Sequence, residues 1–109
     1  MRDLNKVIVS GRAVKNAEYK EVNGVKIATF TLACNYDNEA SYFPVTCFGG
    51  LAENVVSRYV TKGKELHIEG RLKQGRFQTK EGQYCTRIKI IAQKIILQGS
   101  PKKAETEIT

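Results

Sequence analysis

Long apolar runs are missing from this 109-residue chain; the longest are only a few residues, as in Lys94-Ile95-Ile96-Leu97. A bilayer-spanning helix takes roughly 20 consecutive apolar residues, so none is expected. Arg2-Asp3-Leu4-Asn5 leads straight into a strand-like run with no apolar h-region or small-residue cleavage site, which predicts no secretory signal and an intracellular location. Cysteine is scarce. Cys34, Cys47 and Cys85 are odd in number and widely spaced, which excludes a disulfide framework or a Cys-x-x-Cys metal site within one chain. They are expected to be reduced and partly buried. His67 is the sole histidine, and without a second imidazole or a cysteine pair it reads as structural rather than as a zinc ligand or general base. Cys34 and Cys47 alternate with apolar residues and have no base beside them. Asp37 and Glu39 are two loop carboxylates of the solvated kind, and Gly49-Gly50 lacks the Lys-Ser/Thr ending of a phosphate loop. No catalytic constellation results, so the chain is expected to be no enzyme and to need no cofactor or metal.

What is present is an ordinary globular composition, 41% hydrophobic and 27% charged, in a length that holds one domain. Eighteen Lys and Arg against eleven Asp and Glu leave a net charge of +7. The excess is uneven: residues 58–94 carry ten bases and three acids, while 37–57 carry three acids alone. A basic region of this kind is the electrostatic footprint of a polyanion partner, or else a solvated basic face.

Along the chain, residues 5–13 read as a strand bent at Gly11. After a polar stretch, Asn23-Gly24 is a strong hairpin signal, and it opens into a strand with Ala28, Phe30, Leu32 and Cys34 on one face and Thr29 and Thr31 on the other. Residues 35–41, acidic and rich in asparagine, read as a loop. In the third strand, residues 42–48, Phe43, Val45 and Cys47 oppose Tyr42, Pro44, Thr46 and Phe48, and Pro44 marks an edge or a bulge. Residues 51–60 have helical spacing, apolar at 51, 52, 55, 56, 59 and 60, and Lys62-Gly63 supplies a stop. The fourth strand, 65–77, sets Leu66, Ile68, Gly70 and Leu72 against His67, Glu69, Arg71, Lys73 and Phe77. A turn at 80–82 leads to the fifth, whose alternation breaks at Ile90-Ile91-Ala92. Residues 1–98 therefore form one domain, and 99–109 are expected to be a short disordered tail.

Three strands, a helix and two strands, all within an essentially all-β chain, close most simply as a five-stranded Greek-key barrel with the helix between strands three and four, the OB-fold. A small open sheet with one helix packed on it is the other closure.

If strands four and five pair, Arg71, Lys73 and Arg76 come near Arg87 and Lys89, with Phe77 among them. Like charges across a ladder repel, so such a cluster fits phosphate binding, with the phenylalanine as a flat face for a base; alternatively the side chains fan into water. Tyr42 and Phe48 lie opposite the apolar set of their strand, where base stacking, a subunit contact or core packing would account for them. Tyr36, in the loop, is a weaker candidate of the same kind.

Four segments resemble the bacterial single-stranded DNA-binding proteins over residues 4–97. They are Asn5-Lys6-Val7-Ile8-Val9-Ser10-Gly11-Arg12, Ala28-Thr29-Phe30-Thr31-Leu32-Ala33, Phe43-Pro44-Val45-Thr46-Cys47-Phe48-Gly49-Gly50-Leu51-Ala52-Glu53-Asn54, and Lys62-Gly63 followed by Ile68-Glu69-Gly70-Arg71-Leu72. Their order and spacing together are specific. The resemblance implies a homotetrameric OB-fold in the cytoplasm, associated with the nucleoid, that wraps and protects single-stranded DNA in replication, recombination or repair. Its stacking aromatics fall on Tyr42, Phe48 and Phe77, with Tyr36 near a fourth, and the bases proposed to hold phosphates are Arg12, Lys62, Arg71, Lys73, Arg76, Arg87 and Lys89. Three departures stand out. The family often has lysine where this chain has Gly50, tryptophan is absent, and residues 98–109 offer no acidic, phenylalanine-tipped tail of the kind that recruits replication and repair enzymes. Recruitment through the C-terminus is accordingly not expected. Two further readings fit the same elements: a primosomal accessory OB-fold protein, and an oligomeric scaffold subunit that binds no nucleic acid.

Overall fold

The computed structural model describes residues 2–98; residues 99–109, where the tail is predicted, and the Phe77 side chain lie outside the described residues. Among the described residues the strands are β1 (Val7–Ala13), β2 (Glu18–Val22), β3 (Val25–Tyr36), β4 (Glu39–Phe48), β5 (Glu65–Gln78) and β6 (Tyr84–Leu97). A short helix, α1, stands between β4 and β5, π-wound over Leu51–Val56 and α-wound over Ser57–Tyr59.

The strand order is β1-β5-β6-β4-β3-β2, and β1 also bonds to β3 through Arg12↔Ala33 and Ala13↔Leu32, which closes the ring. β2 pairs with β3 from Glu18↔Thr29 to Val22↔Val25, continuing the line that β1 began. Six segments thus fill five positions of a closed barrel, and the helix lies between its third and fourth strands. This is the OB-fold expected from the element order. The open-sheet alternative is excluded by the β1–β3 pairing.

Closure depends on two close approaches. A Cβ on Gly11 would stand 2.1 Å from the Ala33 carbonyl oxygen, and one on Gly70 would stand 2.1 Å from that of Ile91. Only glycine lets the backbones cross at these points. The sequence bend at Gly11 is therefore the place where β1 turns from β5 to β3. At Gly70 the β5–β6 register skips a residue, with Glu69 opposite Lys94 and Gly70 opposite Ala92. That bulge, at Gln93, is the physical cause of the broken alternation around Ile90-Ile91-Ala92. Gly75 causes no shift.

Both tight hairpins use left-handed backbone. Asn23 and Gly24 have φ of 52° and 80°, and Asp37 and Asn38 have 52° and 64°, the mirror-image turns that match strand twist. The second turn corrects the loop expected over 35–41: β3 and β4 run on to Tyr36↔Glu39, and only two residues turn. The alternation predicted for β3 and β4 holds for Ala28, Phe30, Leu32, Val45 and Cys47, which are buried; Cys34 and Phe43 are only partly buried, and Thr46, on the other face, is buried as well. Leu66, Ile68 and Ile90 complete the barrel interior, and Ala52, Val56 and Val60 of the helical region seal it. Two expectations need correction. Tyr59, on the predicted apolar helix face, is 52% exposed, and Leu72, predicted to face inward, is exposed where the β5–β6 hairpin extends past the barrel.

Candidate nucleic-acid interface

Alternation and register fix which side chains share the barrel's outer wall. On β4 the outward residues are Tyr42, Pro44, Thr46 and Phe48, opposite Ala33, Thr31, Thr29 and Ile27 of β3. Tyr42 and Phe48 are exposed, at 63% and 45%. Six residue steps of extended strand separate them, roughly 20 Å. Between them lies an open groove of about 360 Å³ lined by Thr29, Thr31, Pro44 and Thr46 together with Lys15, Asn16 and the one carboxylate, Glu18. The face of these two strands is where an OB barrel presents its ligand surface.

The same wall continues onto the basic strands. Thr46 pairs with Ile91 of β6, and Ile91 with Arg71 of β5. Stepping along that side of the hairpin, Lys73 faces Lys89 and Gly75 faces Arg87. Arg71, Lys73, Arg87 and Lys89 therefore share the outer face with Tyr42 and Phe48. Arg12 joins them from the other side, because Arg12, Ala33 and Tyr42 form one cross-strand row. Lys62 reaches the rim through its backbone: its N–H donates to Asn16 Oδ1 at 2.8 Å.

Three candidates stand differently. Arg76 pairs with Thr86 on the opposite side of the hairpin, so it is not part of the basic row with Arg71 and Lys73. Tyr36, 78% exposed, falls on the core-facing alternation of β3 and so opposite Tyr42. Phe77 belongs to β5, in register with Cys85, and its side chain is outside the described residues.

The surroundings are electrostatically simple. Lys26 is engaged elsewhere, donating to Glu53 Oε1 at 2.7 Å, and that hydrogen bond and charge hold its ammonium above the ordinary lysine value. His67 lies beside Glu69, Nε2 to Oε2 at 3.6 Å. Cys47 is buried with its Sγ 3.7 Å from the Ala28 carbonyl oxygen, and burial pushes its thiol up to about 12. Among the described residues no group of three or more His, Cys, Asp or Glu is placed to hold a metal ion, and no helix is long and apolar enough to cross a membrane. Sequence reasoning missed Lys15 and Asn16, which carry no pattern of their own; only the hairpin signal at Asn23-Gly24 hinted that the chain before it ran along β3.

Residues 4–98 match the model of the single-strand binding protein family. The chain belongs to that family. Relatives of this single-strand binding family include the single-stranded DNA-binding protein of Treponema pallidum, 33% identical over 109 residues, and that of Aquifex aeolicus, 32% identical over 114. The alignments take in 92% and 95% of this chain, but 61% and 76% of the relatives' own lengths. In fold, the barrel is similar to a solved chain described as Plasmodium falciparum SSB complex with ssDNA. The TM-score is 0.81 at 21% identity, covering 91% of this chain and 98% of that one.

Proposed function

We propose that this chain binds and protects single-stranded DNA without sequence specificity, in replication, recombination or repair, by stacking bases on Tyr42 and Phe48 and holding phosphates on Arg12, Lys62, Arg71, Lys73, Arg87 and Lys89. Phe77 is included as a third stack on its sequence position alone. One observation carries the reading: the two exposed aromatics flank a groove on the same outer wall that bears the basic row. Aromatic faces accept any base, and bases on the protein neutralise phosphates, so the arrangement favours affinity without sequence readout. Binding, not catalysis, is what such a wall offers. The relatives' names as single-stranded DNA-binding proteins support it.

Titration with oligo(dT) and with a mixed-sequence oligonucleotide of equal length, over a range of salt, tests the proposal. Similar affinities and a log–log salt slope well below zero are expected. Absence of binding, or a slope near zero, would overturn it.

A further inference from the structure

The second side of the β5–β6 hairpin is unused by the interface above. Leu72, Gln74, Arg76 and Gln78 alternate onto it from β5, and Tyr84, Thr86 and Ile88 from β6. Within the barrel this side faces the core; beyond the barrel it opens. The pairing of β5 with β1 ends at Gly70, and that of β6 with β4 begins at Ile90. Past those points the β5 edge is capped at Leu72 by Asn5, whose side-chain amide donates to the Leu72 carbonyl at 2.8 Å and accepts from its N–H at 2.9 Å, whereas the β6 edge carries no neighbouring strand among the described residues and is the free one. Leu72 is there 44% exposed, Ile88 57% and Tyr84 67%.

The Arg76 guanidinium carbon sits 5.2 Å from the centroid of the Tyr84 ring. Such a contact anchors the cation and orients the ring. With two thirds of Tyr84 exposed, the ring still has surface to offer. Charge decides what could use it. Arg76 is the cation on this side; Arg71, Lys73, Arg87 and Lys89 stand on the other face of the same two-stranded ribbon, residues 70–78 and 84–92 hold no Asp or Glu, and Lys80 and Glu81 offset one another in the turn. A second copy of this hairpin would bring like charge against it, and a basic partner would be repelled. A single strand supplies both a negative backbone and flat apolar bases.

We propose that Tyr84, backed by Arg76, is a further base-stacking residue, so that a single strand held on the outer wall passes around the free edge of the hairpin onto its second side. The inference rests on the single-stranded DNA reading above and adds a path to it. Ile88 and Leu72 extend the apolar surface beside the ring, and Gln74 and Gln78 provide amide groups for base edges.

The test is oligo(dT) binding by Tyr84→Leu, Tyr84→Phe and, as a control on the outer wall, Phe48→Ala. The oligonucleotide should exceed the roughly 4–16 nucleotides that one OB barrel covers. Tyr84→Leu is expected to weaken binding at least about fivefold, the low end for loss of one base stack, whereas Tyr84→Phe, which keeps the ring, should stay within about twofold. Wild-type affinity in Tyr84→Leu alongside a weakened Phe48→Ala would overturn the second path and leave the function standing. No binding by the wild type would remove both. Should Tyr84→Leu fail to fold, photo-crosslinking of the wild type to 5-iodouracil-substituted oligo(dT) decides: adducts on Tyr84 support the path, and adducts confined to the outer wall overturn it.

Discussion

Phe48 and Tyr42 are held outward by the alternation that buries Val45 and Cys47, so their rings can be removed without opening the core. Phe48→Ala and Tyr42→Ala are each expected to weaken single-strand binding by about 1–3 kcal/mol with little change in melting temperature. A large drop in melting with normal binding would make either residue structural. Gly50 gives a prediction of the opposite sign. It sits at φ −61° and ψ −35°, two residues from Phe48, and a Cβ there would meet only Asn54 Nδ2 at 3.7 Å. Gly50→Lys should fold without strain, tighten binding and steepen its salt dependence, because one more cation stands by the stacking residue. Cys47 sets a pH limit. Its thiol is raised from 9.0 to about 12 by burial, so the native state holds the proton that the unfolded state releases. The contribution is fully present below pH 9.0 and is lost as pH rises above it toward about 12. Denaturant midpoints measured across that range should fall more steeply for the wild type than for Cys47→Ala.

Among the elements, β1 depends on one residue. At Gly11 any side chain would strike the Ala33 carbonyl, so Gly11→Ala must either push β1 off β3 or distort both. It is expected to destabilise the barrel by about 1–3 kcal/mol, the range for forced overpacking, measurable as a lowered denaturant midpoint. How far the elements could be read in the sequence followed their contact with the core. β3, β4 and β5 each bury one face, and their alternation named the interior correctly at Leu32, Val45 and Ile68. β2 escaped notice because all five of its residues are exposed, which leaves no period to see. The Asp37-Asn38 turn reads as part of a loop in the sequence because it makes left-handed backbone without glycine. Arg76 is near Arg71 and Lys73 along the chain, but a strand sends positions 73 and 76 to opposite sides, so nearness in sequence does not place it in their row. Tyr84 carried no signal until its exposure and the neighbouring guanidinium were known.

For the whole molecule, exposed apolar residues away from the groove call for cover. Leu4 and Ile8 are 93% and 55% exposed, and Tyr59 is 52% exposed. These surfaces, with the family resemblance, support assembly as a homotetramer, and we predict a light-scattering mass near four times 12.2 kDa. A mass near one chain would contradict it.

The order in which the strands meet has a consequence for how the protein comes into being on a ribosome. β1, made first, finds its main partner in β5, and β4 gains its second neighbour only from β6, at Val45↔Ile90 and Thr46↔Ile91. The β2–β3–β4 meander can pair as it emerges, but it stays an open sheet with one bare edge and one apolar face until β5 and β6 have been synthesised. Such non-local closure costs loop entropy before it returns contacts, so folding belongs to the slow, all-or-none kind, and the unfinished sheet is the species most exposed to wrong pairing. In this protein the nascent chain, rather than the native barrel, is where chaperones would have most to do.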